Sequence, residues 1–214
     1  MKQLTLAVFL ATCVIAPSAG AQRNELTGIL GRTFVSDQGI QGAPAYDSQL
    51  RFGKGLTFEV NYARGLLGGP LFSLSAEVPF VVNVDQDLHA ALPIRIPDGY
   101  KSFIATPAAR LNIFPVTAVS PWVSIGGGFA HFSPSSDLLF TGKNPNPTGT
   151  TTGAVEAGVG LDVKVFKEFR LRGEARDFWT GVPQLNVPTG KDHQHNYLVG
   201  VGIVWRFGGN SRSF

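Results

Sequence analysis

Residues 197–207 read Tyr-Leu-Val-Gly-Val-Gly-Ile-Val-Trp-Arg-Phe, and this stretch decides the fold. Its odd-numbered positions are all apolar, whereas Gly200, Gly202 and Arg206 stand between them. Alternation with a period of two is typical of a β-strand that has one apolar face. The stretch therefore predicts a β-strand that separates two different environments.

The same alternation recurs upstream and predicts seven further strands, so we expect an all-β chain of eight strands. The first is the least regular, because Arg32 interrupts its apolar face. No internal sequence repeat accounts for the spacing. The seven ranges are 25–35, 50–62, 72–82, 103–113, 119–132, 155–165 and 169–178.

The connections between these strands alternate strictly between long and short. The long ones, rich in Pro, Gly, Asn, Asp and Ser, are residues 36–48, 83–102, 133–153 and 179–196. The short ones are residues 65–70, 115–118 and 166–168. This pattern is expected of an antiparallel barrel in the outer membrane, with short periplasmic turns and long external loops.

The apolar face can point outward to lipid or inward to a ligand, as in a lipocalin. Strands of about 11 residues are long enough to cross a bilayer when tilted. No apolar run of 18 or more residues follows the N-terminal segment, so a membrane span has to be a closed barrel. We therefore predict a closed, eight-stranded antiparallel transmembrane β-barrel with its apolar face outside.

The second face carries glycines and mixed charges, which fit a narrow lumen where cations and anions neutralise each other. Eight strands leave an interior just wide enough for side chains, so we expect the lumen to be plugged. Lys164, Arg170 and Asp162 lie on the same face. The predicted lumen charges are Arg51, Glu59, Glu77, Arg110, Glu156, Arg172, Glu174, Arg176 and Arg206.

Aromatic residues cluster near the ends of the strands, which predicts two girdles at the membrane interfaces. The girdle near the short turns comprises Tyr62, Phe72, Phe114, Trp122, Phe166, Phe169, Trp205 and Phe207. The girdle near the long loops comprises Phe34, Phe52, Phe80, Phe103, Phe132, Phe178, Trp179 and Tyr197. The alternative is that these rings form the core of a soluble β-sandwich.

The N-terminus has the pattern of a secretory signal peptide: Lys2, an apolar run over residues 4–15, and the small residues Ala19-Gly20-Ala21. We predict cleavage between Ala21 and Gln22; a lipoprotein signal with Cys13 as the lipidated residue is the alternative. Cleavage divides the chain into a signal peptide (1–21), a barrel (22–207) and a short periplasmic tail (208–214). It also removes the single cysteine and lowers the net charge from +3 to +2 by loss of Lys2, too little to indicate a nucleic-acid partner.

With these features the chain resembles the small bacterial outer-membrane β-barrel superfamily, which includes the transmembrane domain of outer-membrane protein A. Its most specific residues are Gly202-Ile203-Val204-Trp205-Arg206-Phe207. The resemblance implies that Gly202, Trp205 and Phe207 are read by the barrel-assembly machinery, and that the protein lies in the bacterial outer membrane in contact with lipid. Two departures are Gly200, where relatives usually have a polar residue, and the residues that follow Phe207.

No motif commits the chain to catalysis, a cofactor or a metal. His193-Gln194-His195 is a pair that could bind a metal in a strand, but we predict a solvated loop there. His131 lies near serines at an outer strand end, and Gly126-Gly127-Gly128 indicates close packing rather than a phosphate loop. We expect a monomeric, non-enzymatic barrel with an envelope-structural or loop-mediated binding role. The alternatives are a narrow channel or lateral-entry site for small apolar molecules, and a lipid A-modifying enzyme.

Pro79 and Pro107 fall in the third and fourth predicted strands, although proline cannot donate to a β-ladder. Pairing of these strands around the turn at Leu71 and Phe114 brings Pro79 opposite Thr106. This predicts a weak lateral seam, with the apolar loop 88–97 as a lid above it. The alternative is a pair of tolerated β-bulges beneath a loop that packs on its neighbours.

Overall fold

The computed structural model describes residues 23–43, 49–91 and 95–208. The predicted signal peptide with its Ala21–Gln22 cleavage site, and the tail beyond Gly208, lie outside these residues. The strands are β1 Asn24–Val35, β2 Gln38–Gly39, β3 Gln49–Phe52, β4 Gly55–Gly68, β5 Phe72–His89, β6 Gly99–Ala105, β7 Ala108–Ile113, β8 Val119–Pro134, β9 Thr150–Lys164, β10 Phe169–Gly181 and β11 His193–Phe207.

The strands close into one antiparallel barrel with eight strand positions around its circumference, as the sequence predicts. We call each of these eight positions a stave. β1 pairs with β4 on one side and with β11 on the other, which joins the two ends of the sheet. β6 and β7 are two halves of one stave between β5 and β8. We call the end of the barrel that carries the long loops the outer end. β2 and β3 extend the sheet there.

Side chains alternate between an exposed apolar exterior and a buried interior. On β11, Val199, Val201 and Ile203 are exposed, whereas Leu198 and Val204 are buried. A Cβ atom at Gly202 would collide with the backbone of Gly28 on β1, so glycine is required where β11 closes the barrel. None of the described residues belongs to a helix long and apolar enough to cross a membrane.

Several strands run further toward the outer end than the sequence predicts. β5 has 18 residues and continues to His89, through a bulge between Asn83 and Gln86. The bulge places both Val84 and Asp85 on the exterior, which breaks the alternation that marked the strand. The predicted loops are correspondingly shorter.

The prediction that Arg51 is a lumen charge is wrong. The expected strand 50–62 is interrupted between Phe52 and Gly55, so β3 and β4 are separate strands. β3 pairs with the outer end of β5, where Arg51 lies opposite His89. This break reverses the faces, so that Leu50 is buried and Arg51 is exposed.

The ladder is interrupted between β5 and the β6–β7 stave, at Pro79 and Pro107, where the sequence predicts a seam. Pairing resumes on either side in the register that the sequence predicts, with Phe80 opposite Ala105 and Glu77 opposite Ala108. The register does not shift across the gap, so the interruption is a loss of pairing and not a β-bulge. Across the gap, the N–H of Thr106 donates to the carbonyl of Pro79 at 3.4 Å.

Aromatic rings cover the outside of this seam. Glycines of β8, the strand paired with β6 and β7, pack beside it. Phe103 contacts Phe80 and Phe129, with ring centroids 6.4 and 5.9 Å apart. A Cβ atom at Gly126 or Gly128 would collide with the backbone of Pro107 or Ala105, so these two glycines are closely packed, whereas a Cβ atom at Gly127 would make an ordinary contact.

The predicted lid over the seam is not formed by the described residues of the apolar loop. Leu88 and Ile96 are buried in an apolar cluster inside the outer end of the barrel. Leu92 and Ile94 lie outside the described residues. The described apolar side chains of this loop therefore fill the barrel instead of covering its side.

We expect the amides that flank Pro79 and Pro107 to exchange hydrogen faster than those of residues 155–164 in β9. The two prolines remove donors from adjacent staves, whereas β9 is paired without interruption on both sides. Hydrogen exchange resolved by residue in lipid vesicles measures the difference. Uniform protection around the barrel would show that the seam is as stable as the rest.

Candidate functional site

Arg176 on β10 is the centre of the charged interior. Its guanidinium Nε lies 3.0 Å from Glu174 and 3.4 Å from Glu59, and its Nη1 lies 3.1 Å from Glu77. The same Nη1 donates to Glu156. Four carboxylates thus share one cation, and all five side chains are buried.

These ion pairs cross the barrel axis. In the order of the staves, β10 and β5 lie opposite each other, so the pair between Arg176 and Glu77 spans the lumen. Hydrogen bonds to Glu156 from Thr106 at 2.6 Å and from Ser124 at 3.0 Å tie the network to β8 and the seam. Side chains therefore occupy the lumen at this level.

A second group of charges lies nearer the short turns. Arg172 binds Asp162 through two hydrogen bonds of 2.7 and 2.9 Å, and Arg206 lies 2.6 Å from Glu25. Arg110 joins the two groups, because it contacts Glu25 and lies 3.0 Å from Glu77. We call the two groups together the charged network: Glu25, Glu59, Glu77, Arg110, Glu156, Asp162, Arg172, Glu174, Arg176 and Arg206.

Trp122 is inside the charged network, so its assignment to the inner aromatic girdle is wrong. The guanidinium carbons of Arg110, Arg172 and Arg176 lie 5.8, 5.0 and 5.1 Å from its ring centroid. Its indole N–H donates to Asp162 at 3.2 Å. The ring thus provides cation–π contacts to three arginines away from water.

Eight of the nine predicted lumen charges are buried inside the barrel, the exception being Arg51. Asp162 and Arg170 are also buried, and Arg170 donates to the carbonyl of Pro115 at 2.9 Å. The sequence pattern predicts Lys164 on the same face, but this residue lies at the end of β9 and is exposed. The eight buried residues are Glu59, Glu77, Arg110, Glu156, Arg172, Glu174, Arg176 and Arg206.

The sequence does not predict two residues of the charged interior: Glu25, a member of the charged network, and Trp122, which the network surrounds. Glu25 is buried on β1, where the exposed Arg32 obscured which face is inside. Trp122 shares its parity with Ser120 and Ser124, both buried. Parity within the strand could have identified Trp122 as an inward residue, but its aromatic character suggested the membrane interface.

Apolar side chains pack in the outer half of the interior, beside buried polar side chains such as Gln194 and Asn196. Phe132 and Phe178 belong to this filling and not to the outer girdle, because both are buried inside the barrel. The other girdle aromatics with exposed rings include Phe34, Phe80, Trp179 and Tyr197 at the outer end. We call the filling the outer apolar cluster: Ile40, Leu50, Val81, Leu88, Ile96, Tyr100, Ile104, Ala130, Phe132, Ala154, Phe178, Leu185 and Leu198.

Hydrogen bonds join the external connections above this cluster. The N–H of Gln41 donates to Pro188 at 2.8 Å, and the N–H of Leu139 donates to Ile96 at 2.9 Å. The Asn186 side chain donates to the carbonyl of Arg95 at 3.1 Å and to Asn144 at 2.8 Å. We call the described parts of connections 36–54, 90–98, 135–149 and 182–192 the outer cap.

His193 and His195 lie in β11 and not in a solvated loop, which corrects that prediction. Both face outward, where Trp179 contacts them with ring centroids 5.0 and 6.4 Å away. His195 donates from Nδ1 to Asp177 at 2.8 Å and stacks on Tyr197 at 5.6 Å. The described residues contain no group of three or more His, Cys, Asp or Glu suited to a metal ion.

A closed barrel with an apolar exterior and a charged interior defines an outer-membrane β-barrel protein. The location predicted from the sequence, the bacterial outer membrane, agrees with this fold.

Two solved structures are similar to this chain. Neisserial surface protein A has a TM-score of 0.50 at 12% identity, over 89% of this chain and 100% of that chain. Ail of Yersinia pestis has a TM-score of 0.49 at 12% identity, over 88% and 99% of the two chains. No family model and no curated protein matches the sequence. At this identity the likeness is one of fold: the small outer-membrane barrel.

Arg176 forms ion pairs with four carboxylates, so its loss should lower the free energy of unfolding more than the loss of any one of them. We expect Arg176→Met to lower the free energy of unfolding by about 3–5 kcal/mol, since it leaves buried carboxylates without their cation. Glu174→Gln should cost less, because Arg176 keeps Glu59, Glu77 and Glu156. Urea unfolding in lipid vesicles measures both variants.

Lys143→Gln is the control for this comparison. Lys143 lies 2.6 Å from Asp137 in the outer cap, where both side chains are exposed, and it lowers the pKa of that carboxyl. Exposed ion pairs contribute little, so this variant should unfold like the wild type. If Arg176→Met also unfolds like the wild type, the network does not hold the barrel together.

Proposed function

We propose that this protein is a non-enzymatic outer-membrane barrel whose outer cap serves as a fixed structural or binding platform on the cell envelope. The observation that carries the proposal is the outer cap itself, whose connections are bonded to one another over a buried apolar cluster. Loops held by a rigid scaffold are the usual position of binding residues. A platform of this kind loses little conformational entropy when it meets a partner.

The filled interior supports a structural role over transport. The charged network crosses the lumen near its middle, and the outer apolar cluster and buried polar side chains such as Gln194 and Asn196 occupy the part above it. A solute would have to break buried ion pairs and displace apolar packing to pass. Both changes cost free energy that a dedicated channel avoids.

The absence of enzymatic activity is part of the same proposal. His131 contacts Thr151 through Nδ1 at 2.8 Å on the barrel exterior. A hydroxyl and an imidazole without a carboxylate to orient the imidazole form an incomplete triad. Among the described residues, no carboxylate accepts a hydrogen bond from His131. We further propose a monomer that contacts outer-membrane lipid and is assembled through Gly202, Trp205 and Phe207.

The interrupted ladder favours a second candidate function, lateral entry of small apolar molecules at the seam. Pro79 and Pro107 leave the wall between β5 and the next stave short of hydrogen bonds. Against it, Phe103 covers the outside, while Thr106 and Ile104 are buried behind the gap. Uniform protection around the barrel in the hydrogen-exchange experiment on the seam would exclude this candidate.

The wild-type protein should show no large, stable conductance in planar bilayers, because ion pairs cross its lumen. Single-channel recording at neutral pH measures this, with an open porin of larger diameter as the positive control for the bilayer. Discrete, long-lived current steps that scale with the amount of folded protein would contradict the plugged lumen.

The outer cap should resist trypsin in the wild type and lose that resistance in Leu185→Ala. Leu185 is buried in the outer apolar cluster, and its truncation costs about 2–5 kcal/mol locally. We expect faster cleavage at Lys143 and Lys191 in vesicles. Val116→Ala, which truncates an exposed side chain in an inner turn, is the control. Rapid cleavage of the wild type at these lysines would contradict a fixed platform.

A further inference from the structure

Arg32 is a cation on the lipid-facing side of the barrel. It lies on β1 between the exposed apolar residues Leu30 and Phe34, on the same face of the strand. The charged network is inside the barrel, so none of its carboxylates faces Arg32. An arginine on the exterior of a membrane barrel is unfavourable in hydrocarbon and needs an anion or water within reach.

The protein provides a hydrogen-bond acceptor to only part of the N–H groups of the Arg32 guanidinium. Its Nη1 donates to the carbonyl of Lys54 at 2.8 Å, which draws the side chain toward the outer end. No carboxylate in the described part of the chain pairs with it. A guanidinium has five N–H donors arranged to grip two oxygens of one group, so several donors are left for a phosphate from the surroundings.

Aromatic rings flank Arg32 at the height of the membrane interface. Phe34 lies opposite Tyr197 in the β1–β11 ladder, and Arg32 lies opposite Val199. From Tyr197 the rings of His195, Trp179 and His193 continue along the exterior of β11 and β10 as a stack. Rings of this kind lie at the level of lipid headgroups.

The charges on the two sides of Arg32 differ: one side is the exterior of β11 and β10, and the other is the exterior of β4 and β5. Asp177, within the stack, is hydrogen-bonded by His195. Beyond β4, the exterior of β5 carries Asp85 and Asp87, which disfavour an anion on that side. Toward the inner end, Leu30, Val199 and Val201 are exposed and apolar. One face thus has a cation at headgroup level, rings beside it and an apolar surface below.

We propose that this face, on β1 and β11, binds an anionic membrane lipid, with a headgroup phosphate on Arg32 and acyl chains over Leu30 and Val199. Charge complementarity selects a phosphorylated lipid over a zwitterionic one, because only a net anion compensates Arg32. Arg32 touches the outer cap at the carbonyl of Lys54, but the proposed lipid lies on the strand faces of β1 and β11, so variants of Arg32 and of Leu185 test the lipid site and the platform function separately.

Phosphatidylcholine vesicles doped with diphosphorylated lipid A provide the test. A ligand that binds the folded state raises its unfolding temperature, so the wild-type midpoint should rise with the fraction of this lipid. In Arg32→Gln the rise should be less than half of the wild-type rise. In Arg32→Lys it should be intermediate, because lysine keeps the charge but cannot donate two parallel hydrogen bonds to one phosphate. Lys101→Gln, an exposed cation on β6, should keep the full rise.

Three results would overturn the proposal: an equal rise in Arg32→Gln, an equal rise with dephosphorylated lipid A, or an equal rise with inorganic phosphate alone. The first means that another surface binds the lipid, and the last means a phosphate site without a lipid. Heat-modifiable migration on gels verifies that each variant is folded. If Arg32→Gln does not fold, a rise in Arg32→Lys equal to that of the wild type also overturns the proposal.

Discussion

Closure of the sheet between β1 and β11 is the constraint on which the rest of this structure depends. Hydrocarbon offers no partner to a free N–H or carbonyl group, so a sheet can cross a membrane only without edges. Twelve residue pairs from Asn24 to Val35 make this closure. The glycine at position 202 is part of the same constraint, because a side chain there would hold the two strands apart.

A closed barrel of eight staves then imposes a second problem, the filling of a narrow interior. This chain solves it in two ways along the barrel axis. Near the middle and the inner end, arginines and carboxylates pair across the lumen around Trp122. Toward the outer end, Phe132, Phe178 and Leu198 pack with side chains of the loops. Charged pairs need partners in fixed positions, whereas apolar side chains need only matching volume.

The two fillings have different consequences for function. The charged network joins opposite sides of the barrel through ion pairs that cross the lumen. The outer apolar cluster ties the loops to the barrel, so that the external surface is an extension of the core. The two functions that we propose accordingly lie on the surfaces of the barrel: the outer cap toward the medium and the exterior face toward lipid.

The sequence by itself determined the barrel class, the order and parity of most strands, and the register at Pro79. These follow from local alternation, because neighbouring side chains on a strand point to opposite sides. It also identified most of the buried charges, since a charge opposite an apolar face has only the lumen left. The signals failed where alternation broke: at the interruption after Phe52, at the bulge beyond Asn83, and at Arg32.

Only the tertiary structure decided which charges pair and which aromatic rings are inside. Arg176 meets Glu77 because the barrel brings β10 and β5 face to face across the lumen, although the two residues are far apart in sequence. Trp122, Phe132 and Phe178 are of the residue types that favour membrane interfaces, yet the barrel uses them as interior filling. Type and local pattern cannot distinguish these uses, because the difference lies in which space across the barrel remains to be filled.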